Sequence, residues 1–275
     1  MRAALLALVI AACANAPASA QAVVDPAGRA TIQVRSRPDA AGHTYRYRSE
    51  TRFVQKDDQG GQSQFNTLIF DLEVLGPRVD GLRLRYTLRE GLVQDSAGAS
   101  MSAAVDAAVG VSLDFRLDRQ GRLVAVDNWP EYKARLLTRV DAALPATDPV
   151  RRTIHERMEG PPLDAAQEMV LGDVAMMAMM EPAGRLPLGM TQLDDPDAAK
   201  ATLAVKVVAP GCVVGIERQT SRSLAGGARA AVSKAEVSVH DGRVLTLEER
   251  RVTRAPGGSQ EETITIRRIS AAPAC

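Results

Sequence analysis

Aromatic side chains make up only 3% of the 275 residues, and histidine and cysteine occur three times each. So few aromatics leave no stacking platform for single-stranded nucleic acid. Charge of one sign is missing too: 34 Lys and Arg stand against 33 Asp and Glu. A chain this balanced has no global pull toward DNA, RNA or an anionic membrane. No Gly-x-Ser-x-Gly elbow, His-Glu-x-x-His helix, P-loop or Gly-x-Gly-x-x-Gly occurs, and there is no Cys-x-x-Cys. Nor is any apolar run near the roughly 20 residues that span a bilayer. What remains, 45% hydrophobic and 24% charged residues, is the composition of a folded water-soluble chain.

The first 20 residues read as an export signal. Met1-Arg2 supplies a positive start, Ala3 to Ala14 a short apolar run, and Ala18-Ser19-Ala20 a small-x-small cleavage site before Gln21. Ile10-Ala11-Ala12-Cys13 offers a second reading, a lipobox in which Cys13 becomes the lipidated first residue. The expected location is periplasmic or secreted, with anchoring through Cys13 as the alternative and no transmembrane span in the mature chain. Either cut leaves Cys212 and Cys275, and an even pair in an oxidising compartment predicts a disulfide. Closing that loop of about 64 residues would stabilise the fold by roughly 4 kcal/mol.

Beyond a polar, flexible lead-in over 21–42, with a short strand at Thr31–Arg35, the pattern has period two. Tyr45, Tyr47, Thr51 and Phe53 share one face, and Arg46, Arg48, Glu50 and Arg52 the other. Leu68, Phe70, Leu72 and Val74 alternate with Asp71 and Glu73; Leu82, Leu84, Tyr86 and Leu88 alternate with Arg83, Arg85, Thr87 and Arg89. Val111 to Asp118 continues the alternation, and such one-sided patterns mark antiparallel strands. Between 128 and 181 the period changes to that of helices. Asn128 precedes one carrying Tyr132, Leu136 and Val140, Asp148-Pro149 opens a second that Gly160 ends, and Asp164 precedes a third running through Met180 to Pro182. Strands resume over 200–270, with Asp241-Gly242 as a hairpin signal. If the strands starting at Cys212, Ala230, Arg243 and Glu261 form a meander, the chain returns to its starting end and brings Cys275 to the edge that holds Cys212.

These elements predict an α+β domain over 43–275: a large, curved, half-barrel-like antiparallel sheet of about nine or ten strands. The three-helix insertion packs on its apolar concave face. In outline this resembles exported bacterial lipoprotein-carrier and related half-barrel domains, a likeness of fold that transfers no functional residue.

The third helix is rich in thioethers, with Met169, Met176, Met177, Met179 and Met180 in one segment. A flexible, polarisable Met face adapts to varied apolar neighbours. Three readings fit: ordinary core, the lining of a lipid-type cavity, and Cu(I) coordination. Copper fits worst, because no histidine lies between His155 and His240. His155 beside Glu156 and His240 beside a hairpin turn read as solvated, and no base is paired with a nucleophile. Asp194-Asp195-Pro196-Asp197 lacks the spacing of a calcium loop and reads as a solvated loop or cap. The arginines of the polar strand faces suit either an anionic headgroup or cross-strand pairing with Asp71, Glu73, Asp114 and Asp118. The expected protein is therefore non-enzymatic, without metal or cofactor. It binds an apolar or lipidic ligand against Met169, Met176, Met177, Met180, Leu84, Tyr86, Leu88 and Phe70. The alternative is an envelope interaction module with a filled core and a protein partner.

Overall fold

The computed structural model of the protein describes residues 23–24, 28–35, 39–57, 60–96, 102–160, 163–182, 184–195, 198–224 and 226–272. The expected leader, Cys13, Cys275, Pro196 and Asp197 lie outside them. In chain order the elements are β1 (Val23–Val24), β2 (Ala30–Val34), β3 (Thr44–Asp57), β4 (Gly60–Arg78), β5 (Gly81–Asp95), α1 (Ser102–Ala108), β6 (Ser112–Asp118), β7 (Leu123–Val126), α2 (Trp129–Ala143), α3 (Pro149–Glu159), α4 (Leu163–Met179), β8 (Gly184–Pro187), β9 (Gly189–Leu193), β10 (Lys200–Ala209), β11 (Val213–Leu224), β12 (Gly227–Ser238), β13 (Val244–Ala255) and β14 (Gly258–Arg268).

Eleven of the strands form one open antiparallel sheet in the order β7-β6-β5-β4-β3-β14-β13-β12-β11-β10-β9, while β1, β2 and β8 form a small second sheet. The protein is thus α+β, with one strand or two more in its main sheet than expected. The two blocks of strands merge where β14 pairs with β3, Ile264 lying opposite Thr51. The meander β11-β12-β13-β14 is present, so Cys212 and the end of β14 lie at the same end of the sheet.

The period-two pattern explains the sheet's two faces. Tyr45, Tyr47, Phe70, Leu72, Leu84, Tyr86, Leu113 and Phe115 are buried on the face toward the helices. Aromatics stack across neighbouring strands there, Tyr47 on Phe70 at 5.7 Å and Phe70 on Tyr86 at 5.2 Å. Bulges at Ile69/Phe70 and Val74/Gly76 locally raise the twist of β4 against β5. The buried residues of sheet and helices, from both blocks of strands, form one cluster. The turn between β6 and β7 passes so close beneath α4 that a Cβ on Gly121 would meet the Ala178 carbonyl oxygen at 2.5 Å. With φ at +79°, that position suits glycine alone.

The far end of α4 is clamped to the sheet. Arg243, buried before β13, donates to Glu181 at 2.5 Å and to Asp39 at 2.7 Å, while Glu181 also accepts from the Val244 amide at 2.9 Å. Burial opposes the Arg243 charge, and Glu181 and Asp39 more than offset it, so its pKa rises. The guanidiniums of Arg243 and Arg268 lie 5.1 and 4.8 Å from the Tyr45 ring. Burial, then the adjacent Asp39 carboxylate, push the Tyr45 hydroxyl up to about 12.

Several expectations need correction. The short strand expected at Thr31–Arg35 is β2, one residue earlier, and its Ile32 and Val34 are buried rather than part of a flexible lead-in. An additional helix, α1, lies where the sequence carries no clear period; only Val105 and Ala107 of it are buried. Asp148 does cap α3, accepting from the Val150 amide at 2.7 Å. Asn128 does not cap α2 with its side chain: it accepts from the Asp114 amide and donates to the Ser112 carbonyl, stitching the helix start to β6. His240 is buried rather than solvated, because its strand ends at Ser238 and the connection over 239–243 folds inward. Asp118 accepts from Arg122 and from the amides of its own turn, not from the strand arginines.

Candidate functional site

Helix α4 is apolar on nearly every side, the pattern of a helix enclosed by protein. One side of it does not close on the sheet. Met169, Gly172, Asp173, Met176 and Met179 face Thr51, Asn66, Leu68, Tyr86, Arg251, Glu262 and Ile264 across a cavity of about 520 Å³. The α4 residues recur at steps of three and four, so they share one stripe of the helix. Met169 and Met179 are each 48% exposed and form the mouth, whereas Met176 is buried on the floor. Gly172 keeps the middle open: a Cβ built there would meet nothing within 4 Å.

Of the residues singled out from sequence, Met169, Met176 and Tyr86 border this space. Met177, Met180, Leu84, Leu88 and Phe70 are buried in the surrounding core and do not border it. Met177 and Met180 each follow a bordering residue of α4 by one position, and Leu84, Leu88 and Phe70 lie two residues along their strands from Tyr86 or Leu68.

The polar members of the wall carry a signal that hydrophobic periodicity does not weigh. Asp173 stands in the middle of the apolar α4. Burial raises its carboxyl above the usual range; the Ser49 hydroxyl lowers it, Glu262 raises it further and Arg251 lowers it. The contact with Ser49 falls short of hydrogen-bond geometry, and this hydroxyl, 1% exposed, has no partner among the described residues. Arg251 is held by Glu249 and, at 3.1 Å, by Glu262, and its Nη2 lies 4.0 Å from the Met176 sulfur. Glu249 also accepts from the Ser233 hydroxyl at 2.6 Å. A protonated Asp173 donates a hydrogen bond where an ionised carboxylate would only accept. Two thioethers flank the mouth, and Thr51, Asn66, Asp173, Glu262 and the fixed cation of Arg251 make the rest of the wall largely polar.

The remaining titratable candidates are dispersed. His155 contacts Asp141 at 2.8 Å and Glu159 at 3.7 Å on the helices, His43 is exposed before β3, and His240 is buried at the clamp. Asp195 is engaged by Arg218 at 2.5 Å. Among the described residues no group of three or more His, Cys, Asp or Glu side chains is placed to hold a metal ion. No described helix is long and apolar enough to cross a membrane.

No protein-family model and no curated protein matches the chain. Among solved structures it aligns with an outer membrane lipoprotein-sorting protein domain from Vibrio parahaemolyticus at 9% identity, covering 83% of this chain and 87% of that one, with a TM-score of 0.20. A DUF1329 family protein from Desulfovibrio piger aligns at 9% identity over the same shares, with a TM-score of 0.16. Likenesses this loose transfer neither a ligand nor a residue role.

Proposed function

We propose that this chain is an exported, non-enzymatic protein of the bacterial cell envelope that holds an apolar or lipidic ligand between α4 and the sheet. The observation that carries this reading is the cavity of about 520 Å³ with Met169 and Met179 at its mouth and an unobstructed Gly172 at its centre. Ligand sites are concave, mostly apolar and carry a few placed polar groups. Asp173 and Arg251 supply those groups, and the thioethers adapt to an irregular chain. The leader pattern at 1–20 and the Cys212–Cys275 pairing complete the proposal: both suit an oxidising compartment outside the cytoplasm.

Native mass spectrometry of the full chain exported into the periplasm and purified from it tests the reading. A co-purifying lipid is expected, and after its removal a fluorescent fatty acid is expected to bind. Gly172→Phe fills the cavity and should abolish that binding while leaving the unfolding temperature close to that of the unmodified protein. An empty protein that binds no probe, or a Gly172→Phe variant that binds as well as the parent, overturns the reading.

One observation favours the alternative of an interaction module. The edge strand β9 and its neighbour β10 expose Met190 (76%) and Val208 (45%), both bordering a groove of about 710 Å³ on the sheet's other face. Exposed apolar side chains gathered in one groove are the kind of surface that partners use. Under that reading Met190→Lys abolishes capture of an envelope protein, and Gly172→Phe has no effect.

A further inference from the structure

The cavity under α4 continues past Met179 and Arg251 into a second recess of about 290 Å³, which borders on both residues as well. Four arginines line this recess: Arg218, Arg222, Arg229 and Arg251. Two of them are neutralised in place, Arg218 by Asp195 and Arg251 by Glu249 and Glu262. Arg222 and Arg229 make no ion pair among the described residues. The strand register sets these two directly opposite each other on β11 and β12. Both fall on the face toward the helices, in phase with Ile216 and Ala235, and both are exposed near the open end of the hairpin.

Like charges directly opposite in an antiparallel pair repel and destabilise the sheet. Two unneutralised guanidiniums so placed, at the end of the cavity under α4, match an anion presented between them, since each fork binds a carboxylate or phosphate in two-point fashion. We propose that the recess binds the anionic head of an amphiphile whose hydrocarbon tail lies in the cavity under α4. The proposal rests on the ligand reading above and adds the ligand's class: one tail, with a phosphate or carboxylate head.

Delipidated full-length mature protein is titrated with three probes: oleoyl lysophosphatidic acid, oleoyl lysophosphatidylcholine and glycerol 3-phosphate. Charge-assisted hydrogen bonds to the head should make the anionic amphiphile bind about ten-fold tighter than the zwitterionic one. In Arg222→Ser/Arg229→Ser that preference should disappear, because the anionic amphiphile loses its extra affinity. Arg229→Glu, which gives Arg222 a cross-strand partner, should abolish the preference as well and guards against a folding artefact in the double variant. Equal binding of both amphiphiles by the parent protein, or a preference that survives both variants, overturns the proposal. Glycerol 3-phosphate binding as tightly as lysophosphatidic acid overturns it too, since the recess would then be a site for soluble anions. If neither amphiphile binds, the cavity reading itself fails; if both bind equally, that reading stands and only the headgroup assignment fails.

Discussion

Two places on the sheet, the outer face of β3 to β6 and the far end of β11 and β12, use arginine in opposite ways. On the outer face of β3 to β6, Asp71 receives Arg46 at 2.7 and 3.0 Å and Arg89 at 2.7 Å, and Asp114 receives Arg85 at 2.7 and 3.0 Å and Arg83 at 3.4 Å. Arg46, Arg83, Arg85 and Arg89 each lie against a carboxylate one strand away, so the ladder holds the sheet together, while Arg48 pairs within β3 with Glu50 at 2.7 Å. On the inner face of β11 and β12, Arg222 faces Arg229 with no such partner among the described residues. Alternation in the sequence gives the same period in both places. Only the register of the neighbouring strand decides whether a cation is neutralised or left to attract a ligand.

The clamp at the end of α4 marks the limit of complete neutralisation, and its loss is the largest expected effect. Arg243→Leu leaves Glu181 buried without a counter-charge and Asp39 with only Arg35, 3.9 Å away, a change that costs about 3–5 kcal/mol. Urea unfolding of the variant should show that loss, and a drop below about 1 kcal/mol would mean the carboxylates find other partners. Removing an acid from the outer ladder should cost less. Asp71 is covered by two guanidiniums that are themselves half exposed, so solvent screens the pairs. Asp71→Asn is expected to lose about 1–2 kcal/mol.

Acid separates the two faces by sign. Hydrogen bonds from Arg46 hold the Asp71 carboxyl below its usual 3.8 against the effect of burial, and Arg89 adds to them. Its contribution is complete above pH 3.8 and is lost as pH falls through the depressed folded value. Asp173 runs the other way: burial raises its folded value, so stability falls as pH rises from 3.8 through that value. Asp173→Asn should therefore raise stability at neutral pH, and Asp71→Asn should flatten the loss at low pH. Thermal unfolding of both variants from pH 3 to pH 7 checks the pair of slopes; equal signs would show that the Asp173 wall is wet.

How far the sequence reveals this contrast depends on the range of the interaction. Leu82 to Arg89 alternate without a break, and every side chain falls on its expected face, because period two is a local property of the backbone. The Asp148 cap is equally local. Arg243 is different: its partners lie 62 and 204 residues away, and a position beside Asp241-Gly242 looks exposed until the connection folds inward. The opposition of Arg222 and Arg229 depends on where the chain reverses between Leu224 and Gly227, which no Asn-Gly or Asp-Gly pair announces. In α4, hydrophobic content points to a buried helix but cannot show that the stripe through Gly172 stays open. Asp173, an acid within that apolar run, is the signal in the sequence that points to the stripe.

A smaller effect probes the open stripe. Gly172 lies inside a helix with free space around its missing Cβ, so Gly172→Ala should stabilise the protein by about 0.5–1 kcal/mol. Alanine adds one methyl group to a cavity of about 520 Å³, so ligand binding should persist. A stabilised variant that still binds would separate helix propensity from cavity volume, which Gly172→Phe alone cannot do.

The smallest expected effect tests the comparison most directly. If Arg222 and Arg229 repel each other in the unliganded protein, removing one charge relieves the strand pair, and Arg222→Thr should stabilise it by about 0.2–0.5 kcal/mol at low salt. The same replacement at Arg46 removes a partner of Asp71 and should destabilise. Screening shortens to about 8 Å at 0.15 M salt and about 3 Å at 1 M, so the Arg222→Thr gain should shrink as salt is added. Saturating anionic amphiphile should reverse its sign, because the parent protein alone then gains the headgroup contact. Opposite signs for the two substitutions in unfolding midpoints at 10 mM salt mean that the ladder on Asp71 and Asp114 is electrostatically complete and the Arg222–Arg229 pair awaits an anion. Matching signs would make the opposed arginines an ordinary solvated pair.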